Sequence, residues 1–181
     1  MAIEFFASRL SGSEFGPSVL VESKVKILKD LTVARDRDGK WRMLAGFQQQ
    51  DIVFYCPRDS VPLQEFASEF TRIDKYDKKQ TKPVVIPLAV CELKLGKNLV
   101  THAIITYSSI SSQLKSIFPH CAYYFVMYSN AERGLQPETV VRHTKGFDRV
   151  FLNWRDDSTR EKLWQEIEGH LAYLRDRGVV S

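Results

Sequence analysis

Three residues are placed so that their types can do chemistry together: Asp51, Glu92 and Lys94. Glu92 and Lys94 stand two apart at the end of the apolar run Val84–Cys91. In an extended strand alternate residues share a face, so a carboxylate and an ammonium project side by side while Leu93 turns the other way. Desolvating charge is costly, and its retention at the end of a buried strand points to a partner, a metal or a reaction. Asp51 opens a second β-rich segment ending at Tyr55. If that segment lies beside Val84–Cys91, its carboxylate approaches Glu92. Two converging carboxylates suit a hard divalent cation such as Mg2+, which keeps waters and takes phosphate oxygens into its remaining positions; Mn2+ is expected to substitute. A neighbouring lysine can orient the attacking water and stabilise charge developing on a phosphate. That chemistry is phosphodiester hydrolysis. The other reading of the same residues is a structural ion pair at the sheet rim, with Asp51 capping a turn.

The elements that must hold these residues follow from periodicity and turn chemistry. Gly16 and Pro17 suit a helix start, and Val21, Val25, Leu28 and Leu31 recur at helical spacing, which predicts a helix from Pro17 to about Leu31 with Glu22 on its flank. Asp36 to Gly39 reads as a turn. Trp41–Phe47 and Asp51–Tyr55 read as two strands separated by the polar step Gln48–Gln50. Residues 57–83 are polar, hold the charged stretch Asp74–Lys79, and read as an insertion with a short helix over 63–70. The Val84–Cys91 run is a strand covered on both faces, with Pro87 marking a bulge or an irregular start. Leu99, Ala103, Tyr107, Ile110, Leu114 and Ile117 trace one face of a helix that Pro119 ends, and Cys121–Tyr128 is a second buried strand. A strand, helix and strand in one sheet imply a right-handed crossover between parallel strands. Arg149–Trp154 is a further strand, and Ser158 offers an N-cap for a final helix with Leu163, Ile167, Leu171 and Leu174 on its apolar face and Gly178 past its end. The expected order is an α-β-β-β-α-β core followed by a strand and helix at 149–178.

At 181 residues, without a Gly, Ser or Pro-rich linker, the chain is expected to form a single domain. Twenty-six Lys and Arg against 22 Asp and Glu give a net charge of +4, compatible with a polyanionic partner. Cys56, Cys91 and Cys121 lie far apart in apolar surroundings, as in a reducing compartment. With no secretory signal and no membrane span expected, a cytoplasmic location and no membrane partner follow. No glycine-rich phosphate loop is present, so no nucleotide cofactor is expected. His102, His120, His143 and His170 lack zinc-ligand spacing.

In residue order and strand context the chain resembles the PD-(D/E)xK nuclease superfamily, which has the restriction endonuclease-like fold: a central mixed β-sheet flanked by helices. The resemblance covers the segment from Pro17 to Tyr128. It implies that Asp51 is the aspartate leading the second core strand, with Gln50 in place of the motif's proline. Glu92 and Lys94 become the acidic residue and lysine of the third strand. It further implies a catalytic group of Asp51, Glu92, Lys94 and Glu22, a Mg2+ site built from Asp51, Glu92 and Leu93, and Gln113 as a polar residue of the crossover helix facing the site. The segment Phe15–Glu22 stands where the family has its first helix. Asp74 and Asp77 are rivals to Asp51, set among lysines without an apolar strand after them. The implied function is a metal-dependent endonuclease acting on DNA, of restriction or repair and recombination type. Lys97, Lys82, Lys79, Lys78 and Arg72 are the nearest basic residues for phosphate contacts. Duplex DNA is two-fold symmetric, which makes a homodimer the natural assembly. The alternative is a catalytically inactive nucleic-acid-binding or assembly module on the same fold.

Overall fold

The computed structural model describes residues 2–35, 37–59, 84–94, 101–127 and 145–180. In chain order the elements are α1 (Ala2–Ser11), β1 (Leu20–Arg35), β2 (Trp41–Tyr55), β3 (Pro87–Lys94), α2 (Thr101–Ile117), β4 (Ala122–Met127), β5 (Arg149–Phe151) and α3 (Asp157–Asp176). They build a five-stranded sheet of order β1-β2-β3-β4-β5. β1, β2 and β3 form an antiparallel meander, and β4 and β5 run parallel to β3. This is a mixed α/β sheet flanked by helices, in the α-β-β-β-α-β order expected from the sequence. Among the described residues no helix is long and apolar enough to cross a membrane.

Strands β3 and β4 read as unbroken apolar runs because both of their faces are covered. On one face, Phe6 and Leu10 of α1 and Leu163, Ile167, Leu171 and Leu174 of α3 pack on Ile52, Phe54, Cys91, Tyr124 and Val126. On the other, Ile104 and Leu114 of α2 pack on Val53, Val90, Tyr123 and Phe125. The three cysteines are buried and free. Helix α3 starts two residues earlier than an N-cap at Ser158 implied. Its N-cap is Asp156, whose carboxylate accepts the Ser158 N–H, and Gly178 follows the helix with φ of 70°.

The largest correction concerns the segment after Pro17. The expected helix to Leu31 is strand β1, paired with β2 from Leu20 to Arg35 with breaks at Lys24 and Lys29, and the first helix lies earlier, at Ala2–Ser11. The helix-like spacing of Val21 and Val25 comes from a break in strand alternation at Lys24, whose φ is +57°. Val21 packs on the α1 and α3 side, whereas Val25 and Ile27 pack on the α2 side. A run rich in Val and Ile also favours the extended chain. Trp41–Phe47 and Asp51–Tyr55 are one strand, with Gln48–Gln50 hydrogen-bonded within it opposite Val25–Ile27. The expected strand Val84–Cys91 begins at Pro87, a position where a missing N–H is tolerated, and runs on through Glu92 to Lys94. Residues 60–83, including the predicted helix over 63–70, lie outside the described residues.

Helix α2 is tied to the chain entering β5. Ser111, fully buried, donates to the Gly146 carbonyl at 2.6 Å, and the Gly146 N–H donates to Ser108 Oγ at 3.1 Å. A Cβ at Gly146 would stand 2.3 Å from the Ser108 carbonyl oxygen, so backbone would have to move. Gly146→Ala is therefore expected to cost about 1–3 kcal/mol. Thermal unfolding followed by circular dichroism checks it; an unchanged midpoint would mean that this approach tolerates a side chain.

Candidate active site

The site forms where antiparallel pairing of β2 and β3 stops. The register pairs Val53 with Val90 and Ile52 with Cys91, and one step further sets Asp51 opposite Glu92. There the ladder is replaced by side-chain bonds. The Leu93 N–H donates to Asp51 Oδ2 at 2.9 Å, and the Asp51 N–H donates to the Glu92 carboxylate. On the other side of β2, pairing with β1 passes from Ser23↔Ile52 to Val25↔Gln50 without a Lys24–Asp51 pair. The left-handed turn at Lys24 thus releases Asp51 from the β1 ladder as well.

Glu92 is 4% exposed. Lys94 Nζ donates to its Oε1 at 2.7 Å and lies 4.0 Å from the centroid of the Tyr107 ring on α2. Burial holds the Glu92 carboxyl above its ordinary value, and the like charge of Asp51 adds to this; the bonds from Lys94 and from the Asp51 N–H oppose without cancelling it. For Lys94, burial disfavours the charged form, but the contacts with Glu92 and Tyr107 outweigh it and the ammonium is held above its usual value. The pair is consequently a desolvated carboxylate locked to a lysine that stays protonated.

Behind the pair, Tyr123 donates its hydroxyl to Gln50 Oε1 at 2.8 Å. Burial, reinforced by the Glu92 charge, drives the Tyr123 phenol strongly up, so it remains a neutral donor. Gln50 is 1% exposed and its Nε2 has no partner among the described residues. Beside Asp51, on the α1 side of the sheet, opens a cleft of about 1020 Å3 lined by Phe5, Lys24, Leu93, Trp154 and Arg155 among others.

Of the residues singled out in the sequence, the fold brings together Asp51, Glu92, Leu93 and Lys94. Glu22 is on a strand rather than on the first helix, opposite Val53, and accepts a hydrogen bond from Tyr55. Burial, with the Glu22 charge and hydrogen bond, raises the Tyr55 phenol. Among the described residues no group of three or more His, Cys, Asp or Glu side chains gathers around a metal position, so Glu22 does not complete one with Asp51 and Glu92. Gln113 is exposed and six residues beyond Tyr107, roughly 9 Å further along the helix axis, so it does not face the site. Asp74, Asp77, Lys78, Lys79, Lys82, Lys97 and Arg72 lie outside the described residues. Tyr107 was hidden in the sequence as one member of an apolar stripe. Its signal is a hydroxyl-bearing ring in the first half of the helix that follows Glu92–Lys94, the half a crossover returns to the same end of the sheet.

The donor set fits a hard cation. Magnesium needs only one or two carboxylates beside water and substrate oxygens. Two neighbouring carboxylates, one of them desolvated and raised by the other, form the kind of negative pocket that a dication relieves. Leu93 directs its N–H to Asp51, and the carbonyl of an extended residue faces the same edge as its N–H, which adds a neutral oxygen there.

No family model matches the chain, and no curated protein does. Three solved chains match it. One is described as the native BbvCI A2B2 tetramer at low resolution: this chain is similar to it with 12% identity and a TM-score of 0.48, over 72% of this chain and 44% of that one. The chain therefore spans less than half the length of the solved chain to which it is similar.

Proposed function

We propose that the chain is a divalent-metal-dependent nuclease that hydrolyses phosphodiester bonds in DNA, as an endonuclease of restriction or repair and recombination type. The observation that carries this reading is the meeting of Asp51 with the Glu92–Lys94 pair at one strand end, fixed by the Leu93 N–H bond to Asp51. Asp51 and Glu92, with the Leu93 carbonyl, would hold Mg2+ or Mn2+; when bound, the ion polarises a phosphoryl oxygen and acidifies a water. Lys94, protonated and with one of its three N–H donors on Glu92, keeps donors for the attacking water and for a phosphate oxygen. Tyr107 holds the ammonium from below through its ring. The Gln50 amide offers a buried donor to an oxygen entering beside it. In the reaction the water oxygen bonds to phosphorus, one ester P–O bond breaks, and the leaving oxygen takes a proton.

Nicking of supercoiled plasmid tests the reading. Conversion to nicked circles is expected with Mg2+ and none with EDTA, and Asp51→Asn or Lys94→Ala is expected to slow it by ~100-fold or more. No cleavage by the parent in Mg2+, or a Lys94→Ala variant as fast as the parent, overturns catalysis; retained DNA binding with no metal uptake by calorimetry would then identify a non-catalytic module.

The charge state of the pair gives a second test, in the metal-free protein. The folded state holds the Glu92 proton more tightly than the unfolded chain does. Its contribution to stability is therefore full below the ordinary value of 4.5 and is lost as pH rises through the raised one. Lys94 is raised from 10.5, so its contribution stays constant through this range and is lost only in strong alkali. In urea melts with EDTA, the parent is expected to lose stability relative to Glu92→Gln as pH rises from 4.5 through the raised carboxyl value. Parallel curves would show that Glu92 is not held as a desolvated carboxylate.

A further inference from the structure

We infer that the outer half of the β1–β2 ribbon is an arm that enters a groove of duplex DNA. Its partner rests on the nuclease reading; its geometry does not. The body of the protein holds the ribbon as far as Leu28, Ala45 and Phe47, which pack with Val84, Ile117 and Phe118. Past the Leu31↔Ala45 pair four more cross-strand pairs continue, from Thr32↔Leu44 to Arg35↔Trp41, and every residue from Asp30 to Arg35 is exposed. At ~3.4 Å per residue the free ribbon reaches about 14 Å.

Isolated two-stranded ribbons are marginal in water, and large exposed apolar side chains on one call for an occupant. Leu31 and Val33 alternate onto one face and are 43% and 47% exposed; Trp41, opposite Arg35 at the end of that row, is 51% exposed. The Arg35 guanidinium lies over the Trp41 ring, 4.7 Å from its centroid. Among the described side chains at the tip, Arg35, Arg37 and Lys40 stand against Asp38.

Charge and size choose the occupant. A second copy of the chain would meet the same cationic tip, which disfavours that pairing. A polyanion complements the tip. The major groove of B-DNA, ~12 Å wide, admits a two-stranded β-ribbon and presents thymine methyl groups to apolar side chains. Phosphates on either side of that groove receive Arg35, Arg37 and Lys40.

The experiment uses the full chain in EDTA, where no cleavage occurs, with a fluorescein-labelled duplex of 24 base pairs read by anisotropy across a salt series (roughly 50 to 200 mM). The triple variant Arg35→Ala, Arg37→Ala, Lys40→Ala is expected to bind at least 10-fold more weakly, with the slope of log K against log salt reduced by about 2–3. Trp41→Ala is expected to weaken binding several-fold at an unchanged slope. Thermal unfolding of both is expected to stay near the parent, because the side chains are exposed. Parent-like affinity and slope in the triple variant overturn the arm and leave the nuclease reading untouched. Loss of affinity in the triple variant, with Lys94→Ala binding normally and the parent cutting nothing in Mg2+, supports the arm and overturns the nuclease. A parent that is dimeric by light scattering, made monomeric by Trp41→Ala with DNA affinity unchanged, assigns the face to a second copy and overturns the proposal.

Discussion

Where β2 and β3 part, the Leu93 N–H has no ladder partner, and it is the Asp51 carboxylate that takes it. The positions of the other charged groups depend on this bond. It holds Asp51 across the strand gap, so that the Asp51 N–H can in turn reach Glu92 and the two carboxylates stay opposed despite their repulsion. A buried N–H left unpaired costs a few kcal/mol, and so does a buried carboxylate without donors. The two bonds meet both needs at once, which explains why the strand ends are well formed although each carries charge. Lys94 completes the neutralisation from the α2 side.

A buried ion pair is not by itself a source of stability, because desolvating two charges offsets most of their attraction. Here the carboxylate is almost fully enclosed while the ammonium keeps 23% of its side chain accessible. That asymmetry leaves the lysine facing outward over the Tyr107 ring, with the charge that balances it behind. In the proposed reaction that asymmetry is what an outward-facing cationic donor requires.

Much of this was legible in the sequence, and the remainder was hidden for identifiable reasons. The β3–α2–β4 unit could be read because apolar runs and a helical stripe have unambiguous periods, and the Glu92–Lys94 spacing could be read because strand alternation is local. The β1 segment was misread because a single left-handed residue, Lys24, shifts the alternation and turns a period of two into an apparent helical spacing. Glu22 followed it onto the wrong element. Tyr107 and the Gln50–Tyr123 bond were harder to read for a different reason: each depends on which side chains share a face across elements distant in the chain, and local periodicity gives at most the half-helix in which Tyr107 lies.

The irregularity that misled the pattern is also what shapes the molecule around the site. A non-glycine residue in the left-handed region costs roughly 1–2 kcal/mol. At Lys24 this cost is offset by what the turn achieves, since it carries Val25 and Ile27 to the α2 side, where burial of each side chain contributes about 1.5–3 kcal/mol. It also brings Gln50 round to Tyr123. Had β1 and β2 kept regular pairing, Asp51 would have been consumed by a ladder with Lys24 and the ribbon would have continued the plane of the sheet. The break frees the aspartate and redirects the ribbon over α2 toward Phe118, from which its basic tip leaves the body. The proposed reaction centre and the proposed DNA-binding arm are thus two consequences of one strained residue.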